Sequence, residues 1–199
     1  MAGRPREFDK EQALQQAMLV FWEHGYEGTS MSALVTALGI ASARIYAAFG
    51  NKQQLFEQAV ALYEAGEGGF ADRALEVADI AQAIRQMLVD AVITYTQPDR
   101  PHGCLVVSAA PCVAPENTGV SVWLTDHRRQ RTASIMDRLE AAQGNGQLAA
   151  GANVQAMGDF YATFLHGISV QARDGAPKAA LLQAVECAMT LLPLRSIDV

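Results

Sequence analysis

Apolar side chains in this chain recur at intervals of three and four, and this rhythm constrains the fold more than any other property of the sequence. Leu14, Ala17, Met18, Phe21 and Trp22 set it; Met31, Leu34, Val35 and Leu38 repeat it. It returns in Ile80, Ile84, Met87, Leu88, Ala91, Val92 and Tyr95, and most cleanly in Val154, Met157, Phe160, Tyr161, Phe164, Leu165 and Ile168. No alternating strand pattern appears, so the sequence predicts an all-α fold. Asp9 and Gln12 predict a capping box for the first helix, with His24 in its last turn and Gly25 ending it. Ser30 (or Thr29) caps the second helix, Gly39 breaks it, and Ser42 caps the third, which Gly50-Asn51 stops. A fourth helix begins near Lys52 and fades at Gly66 to Gly69, with helix resuming through Phe70 to Leu75. Leu181, Leu182, Val185, Ala188, Met189 and Leu192 mark the last helix, started near its first turn by Pro177.

Composition narrows the function classes. Half of the 199 residues are hydrophobic and 18% are charged, enough for a packed core and too apolar for disorder. The net charge of −6 argues against a general nucleic-acid coat, so any DNA contact must come from a few placed cations. Cys104, Cys112 and Cys187 make an odd count without a CxxC pair, as suits a reducing compartment. The four histidines are scattered, so no metal site and no cofactor is expected. The start MAGRPREFDK is polar and the apolar run Leu105 to Ala114 is about half a membrane span; no signal peptide and no membrane segment is expected, and a cytoplasmic location follows.

The sharpest local signal lies between Met31 and Phe49. A helix-turn-helix needs a residue of positive φ in its turn and apolar residues on the facing sides of both helices. Gly39 supplies the first; Leu34, Leu38, Ile40 and Ile45 supply the second.

Around this motif the chain resembles the TetR family of bacterial transcriptional regulators. The resemblance rests on Gly3-Arg4-Pro5-Arg6, Ala17 to Phe21, Gly25 to Ser30, Leu38-Gly39-Ile40, Ile45 to Lys52 and Leu55-Phe56, about the first third of the chain. Gly103-Cys104-Leu105 and Ser169 to Gly175 also look like a subgroup of the family. The resemblance implies a homodimer with two DNA-reading domains and a helical ligand-sensing domain. Residues 1–52 form the expected DNA-binding domain, 52–75 a connecting helix, and 76–199 the ligand and dimerisation domain. The chain departs from many relatives in carrying Arg44 where they have Ser or Thr two residues before the Tyr.

In this frame Ser42, Ala43, Arg44, Tyr46 and Ala47 of the third helix face operator DNA. Arg44 reads a guanine, or else meets a phosphate or solvent; Ala43 and Ala47 permit close approach, or simply favour helix. Tyr46 and Lys52 contact phosphate, unless Tyr46 is a half-buried core aromatic. Thr29 and Ser30 donate to phosphate or only cap. Arg4 and Arg6 form a minor-groove arm, or a solvated end. Residues 1–66 hold five cations against seven anions, a net −2, so non-specific affinity is expected to be modest.

Met87, Cys104, Trp123 and Tyr161 are the candidate lining of a pocket for a small, mostly apolar ligand, with ordinary core packing as the alternative. His127 and Arg128 orient a polar group of that ligand, or lie on a solvated or dimer face. Cys104 is a thiol sensor or an inert buried cysteine. Phe164, Ile168, Leu182, Val185 and Met189 are the candidate dimer contact, two helices from each chain forming a four-helix interface, or else an internal core. No GxSxG, Walker loop, HExxH or dinucleotide-binding pattern supports catalysis. The leading expectation is therefore a ligand-responsive repressor on a palindromic operator; the alternative is a helical small-molecule-binding protein or enzyme without DNA readout.

Overall fold

A computed structural model describes residues 9–109 and 113–195. Arg4 and Arg6, expected in a DNA-contacting arm, and Cys112 lie outside these residues. Among them the chain forms ten α-helices and no strand. Helices α1 (Lys10–Gly28), α2 (Met31–Leu38), α3 (Ser42–Phe49) and α4 (Lys52–Ala65) come first. Then follow α5 (Phe70–Leu75), α6 (Ile80–Tyr95), α7 (Leu105–Ser108), α8 (Thr118–Gly144), α9 (Val154–Arg173) and α10 (Lys178–Met189).

The helix starts follow the caps, with three departures. Asp9 accepts from the backbone N–H groups of Glu11 and Gln12, both at 3.0 Å. The reciprocal capping box forms at α4 instead, where Gln54 N–H donates to Asn51 at 2.8 Å and Asn51 N–H to the Gln54 side chain at 2.9 Å. Ala41, not Ser42, occupies the cap position of α3, and Ser42 is its first helical residue. Gly25 does not end α1: it bends the helix with φ 70° and ψ 179°, and the turn continues to Gly28.

Two layers result. In the first, α1 lies along α4 through an aromatic seam. Phe21 meets Phe56 edge-on at 5.1 Å between ring centroids, Tyr26 meets Phe56 at 5.2 Å, and Trp22 meets Tyr63 at 4.8 Å. In the second layer α6 packs between α5, α9 and α10, and α8 packs along α9. The link between layers is the Gly103 turn. Gly103 has φ +79°; its N–H donates to Tyr95 at 3.0 Å and its carbonyl accepts from Trp22 Nε1 at 2.9 Å. The next N–H, of Cys104, donates to Ser169 Oγ at 2.8 Å. Arg173, at the end of α9, donates to the carbonyls of Trp22 (3.2 Å) and Glu23, which α1 leaves open at its bend.

Several residues expected at functional surfaces are core. Met87 is fully buried within α6. Tyr161 is buried, donates to the Ala188 carbonyl at 3.3 Å, and burial pushes its hydroxyl pKa up to about 12. Ile168 and Val185 pack inside their own chain. The stripes on α9 and α10 are wide enough to serve the chain's interior, and these residues take that inner side.

Two glycines separate backbone strain from crowding. Gly39 has φ +65° with open space where a Cβ would stand; a Cβ on Gly103 would stand 2.8 Å from the Ser169 carbonyl oxygen. Gly39→Ala should cost about 1–2 kcal/mol, the ordinary cost of a left-handed L-residue. Gly103→Ala should lower the melting temperature further, because it adds a backbone clash; equal losses would show that the Gly103 turn relaxes freely.

Candidate nucleic-acid interface and the cavity behind it

The turn at Gly39 sends α3 off α2 at 91°. Leu34, Ile45 and Phe49 are buried and fix that crossing, with Leu38 and Ile40 half-buried beside them. One face of α3 is thereby locked inward and the other is presented outward. Ser42, Ala43, Arg44, Tyr46 and Ala47 are all exposed, Tyr46 to 48%. That exposure removes the core-aromatic reading of Tyr46. The small side chains of Ala43 and Ala47 leave the face shallow enough for close approach of a duplex, while Arg44 and Tyr46 stand out from it.

The neighbouring candidates divide. Ser30 is exposed; its Oγ accepts from Ala33 N–H at 3.0 Å and lies 2.8 Å from Ser32 Oγ, so the start of α2 carries two hydroxyls. Thr29 has a different role: it is fully buried, and its Oγ1 donates to the Gly25 carbonyl at 2.7 Å. That hydroxyl closes the bend of α1 and does not reach a surface. Lys52 is half-buried, with Nζ 4.3 Å from the centre of the Tyr26 ring. Burial lowers its pKa and the nearby Glu27 opposes that shift. Lys10 lies similarly over Phe49 at 5.3 Å, a cation beside α3 that periodicity alone does not single out. Glu27 fastens α1 to the segment before α8, accepting from Ala114 N–H at 2.8 Å and Asn117 Nδ2 at 2.7 Å. Those bonds, led by the Ala114 N–H, hold its carboxyl below the usual range.

Behind α4 lies a small cavity of about 50 Å³. Cys104 and His127 line it, as expected; Trp123, Met87 and Tyr161 do not. Trp123 stands one step back, its ring 3.8 Å from that of His127 and 6.0 Å from Phe56. The walls are more polar than a mostly apolar ligand would require: Tyr63, Glu64, Tyr95, Arg128, Arg131 and His166 all contribute. Arg131 grips Asp72 with both guanidinium nitrogens, and that bond draws the Asp72 carboxyl down. Burial raises the Glu64 carboxyl against the pull of His127 and Arg131. Burial also lifts the Tyr63 and Tyr95 hydroxyls well above their ordinary value, with Cys104 beside both. Arg128 is lowered by burial. Tyr95 and Arg131 carry a signal in the sequence, since each sits in an otherwise apolar stripe, but only the crossing of α4, α6 and α8 brings them together.

Elsewhere on the surface, α9 and α10 leave Phe164, Leu182 and Met189 half-buried, and Phe160 and Val170 exposed. Phe160 and Phe164 stack at 6.0 Å. Among the described residues no single helix is long and apolar enough to cross a membrane.

Comparison with known proteins agrees with this geometry. Residues 13–59, from the first helix into α4, match the model of the bacterial regulatory proteins, tetR family. The chain is 28% identical over 193 residues to the HTH-type transcriptional repressor ComR of Escherichia coli strain K12, covering 96% of this chain and 92% of ComR. It is 31% identical over 147 residues to the HTH-type transcriptional regulator YezE of Bacillus subtilis strain 168, covering 73% and 76%. A cysteine mutant of the TetR family transcriptional regulator CifR, solved in complex with 26 bp double-strand operator DNA, superposes with a TM-score of 0.91. It is 38% identical, over 96% of this chain and 100% of that one.

His166 gives a test of the cavity's electrostatics. Burial, and Arg128 alongside, hold its imidazole below the ordinary value, so the folded state favours the neutral ring. Its contribution is complete above the unfolded pKa of about 6.5 and is lost as pH falls through it, because the unfolded chain binds the proton more readily. Wild type should therefore lose melting temperature relative to His166→Gln between about pH 7.5 and 5.5. A constant difference across that range would remove His166 from the coupled charges.

Proposed function

Because the chain belongs to the TetR family of bacterial regulatory proteins, and is a DNA-binding transcriptional regulator, we propose that it is a repressor that holds a palindromic operator as a homodimer and releases it when a ligand enters the cavity behind α4. The observation that carries this reading is the outward face of α3: five exposed residues on a short helix whose other side is locked by Ile45 and Phe49. Residues 1–52 hold that face, the segment 52–75 connects it to the rest and gives one wall of the cavity, and 76–199 supply the other walls and the dimer contact.

Arg44 is the base reader, and Tyr46, Ser30 and Lys52 are backbone contacts. Lys52 suits this role because Tyr26 steadies its stem and so limits the freedom lost on binding. Dimer contact falls to the outward side of the expected stripe: Phe164, Leu182 and Met189, joined by Phe160 and Val170. Ile168 and Val185 act only by supporting them from within.

The cavity reaches the reading head through Tyr63, which lines it and also packs on Trp22 of α1. A ligand that shifts Tyr63 pushes on both helices of the first layer. Coupling requires that ligand affinity differ between the DNA-fitting and non-fitting arrangements.

Arg44→Ala should cost about 1–3 kcal/mol on the cognate operator and relax preference at one base pair per half-site, whereas Lys52→Ala should weaken all sequences alike and flatten the salt slope by about one. Mobility shift across a set of operator variants reads both; uniform loss for Arg44→Ala would reassign it to phosphate. Phe164→Glu should convert dimers to monomers in sedimentation and abolish tight operator binding together. Filling the cavity with Val107→Phe should mimic the ligand and lower operator affinity about tenfold, which needs only about 1.4 kcal/mol of coupling. Unchanged affinity in a folded Val107→Phe protein would sink the coupling.

A further inference from the structure

Two donors meet at this cavity with no oxygen acceptor among the described residues. Tyr63 is 2% exposed, and the groups beside its buried hydroxyl are the Cys104 thiol, a weak acceptor, and the Leu105 N–H, a donor. Arg128 donates from Nη2 to Thr125 Oγ1 at 3.0 Å, while its Nη1 is buried and unpartnered. Both side chains line the same space.

The surrounding charges do not neutralise Arg128. The two carboxylates nearby face other groups: Asp72 is held by Arg131 through paired hydrogen bonds, and Glu64 lies 3.8 Å from His127 Nε2. The other groups near Arg128 are the Cys104 thiol and the His166 ring. Arg128 as a whole is only half-buried, but a guanidinium nitrogen sealed from water with a free N–H is costly unless an acceptor meets it. A neutral acceptor such as an amide would satisfy the hydrogen bonds and leave the charge. A carboxylate satisfies both, since its two oxygens accept from two donors at once.

The size of the space bounds the ligand. About 50 Å³ of the cavity is open to the centre of a water molecule, more than the roughly 10–15 Å³ that one water needs, so the space admits a carboxyl group with a short alkyl stub. Leu165, Val106 and Phe70 supply an apolar wall for that stub.

We propose that the cavity is a binding site for a small monocarboxylate, of acetate to propionate size, whose oxygens accept from Arg128 Nη1 and Tyr63 Oη. The proposal rests on the reading of this cavity as the ligand site of the repressor, and it assigns the chemical class of the ligand. The carboxylate takes Tyr63 as a partner, so the residue that contacts Trp22 is the one that senses occupancy.

The test compares acetate and propionate with acetamide and propionamide at millimolar concentration and matched ionic strength in sodium chloride. Thermal unfolding reads binding, and fluorescence anisotropy of a labelled operator reads release. The acids should raise the melting temperature with a saturable dependence, as a ligand selective for the native state must, and the amides should not. Arg128→Gln and Tyr63→Phe should each reduce the acid shift at least tenfold in apparent affinity. Should Arg128→Gln not fold, the acid-against-amide comparison in wild type remains decisive. An equal shift from the amides, an undiminished acid shift in both variants, or no shift from either acid would overturn the proposal. An acid shift that needs Arg128 but leaves operator affinity unchanged would uphold the carboxylate site and overturn its role in release. Release of operator by the amides alone would do the reverse.

Discussion

The hydrogen bond from the Trp22 indole to the Gly103 carbonyl is the joint on which the two layers of the molecule depend. It is buried, so breaking it would strand two polar groups rather than return them to water. Gly103 can present that carbonyl only because its backbone is left-handed and its missing Cβ leaves room for Ser169. The following N–H then turns to Ser169, and Cys104 is carried into the cavity wall. Arg173 closes the same joint from outside by donating to the Trp22 and Glu23 carbonyls just ahead of the Gly25 bend. The bend at Gly25 brings α1 against Ser108 and Ala109 of the same segment. One short turn, residues 103–109, thus meets α1, α9 and the cavity together.

This arrangement gives ligand and DNA a common element. Tyr63 belongs to α4, whose first turn follows α3 directly; its ring lies against Trp22, its hydroxyl is buried, and the side chain lines the cavity. Glu27 forms a second strut, from the end of α1 to the segment ahead of α8. The second layer thus meets α1 at two places, on either side of the Gly25 bend. Under the proposed mechanism the Trp22–Tyr63 edge would carry a change in the cavity to α1, because packed aromatic edges have little free volume.

The helices were legible in the sequence because their signals are local: Ser30, Gly39 and Asn51 do their work within four residues. The outward set on α3 was legible for the same reason, since Ile45 and Phe49 fix which side of a short helix faces in. Thr29 shows the limit. Its neighbours read as a cap, yet the bend at Gly25 frees a carbonyl that captures its hydroxyl, and nothing in the local pattern announces that bend. Cys104 and His127 were found at the cavity, while Met87 and Tyr161 were displaced into core, because an apolar stripe does not state which of its flanks meets a second helix. The polar cavity wall was the least legible part. Tyr63, Tyr95 and Arg128 come from α4, α6 and α8, and their shared space exists only at the crossing of three helices.

The acidic balance of the first 66 residues leads to the same economy of design at the DNA face. A reading head with a net charge of −2 gains little from general attraction to phosphate. Each useful cation must then be held in position rather than supplied in excess. Lys52 lies over Tyr26 and Lys10 over Phe49, and both rings belong to buried core residues. The core that sets the angle of α3 is therefore the core that positions the flanking charges. Under the proposed mechanism, a ligand that shifts α1 against α4 would move the reading helix together with its flanking cations, so the fit of the whole face to DNA would change at once.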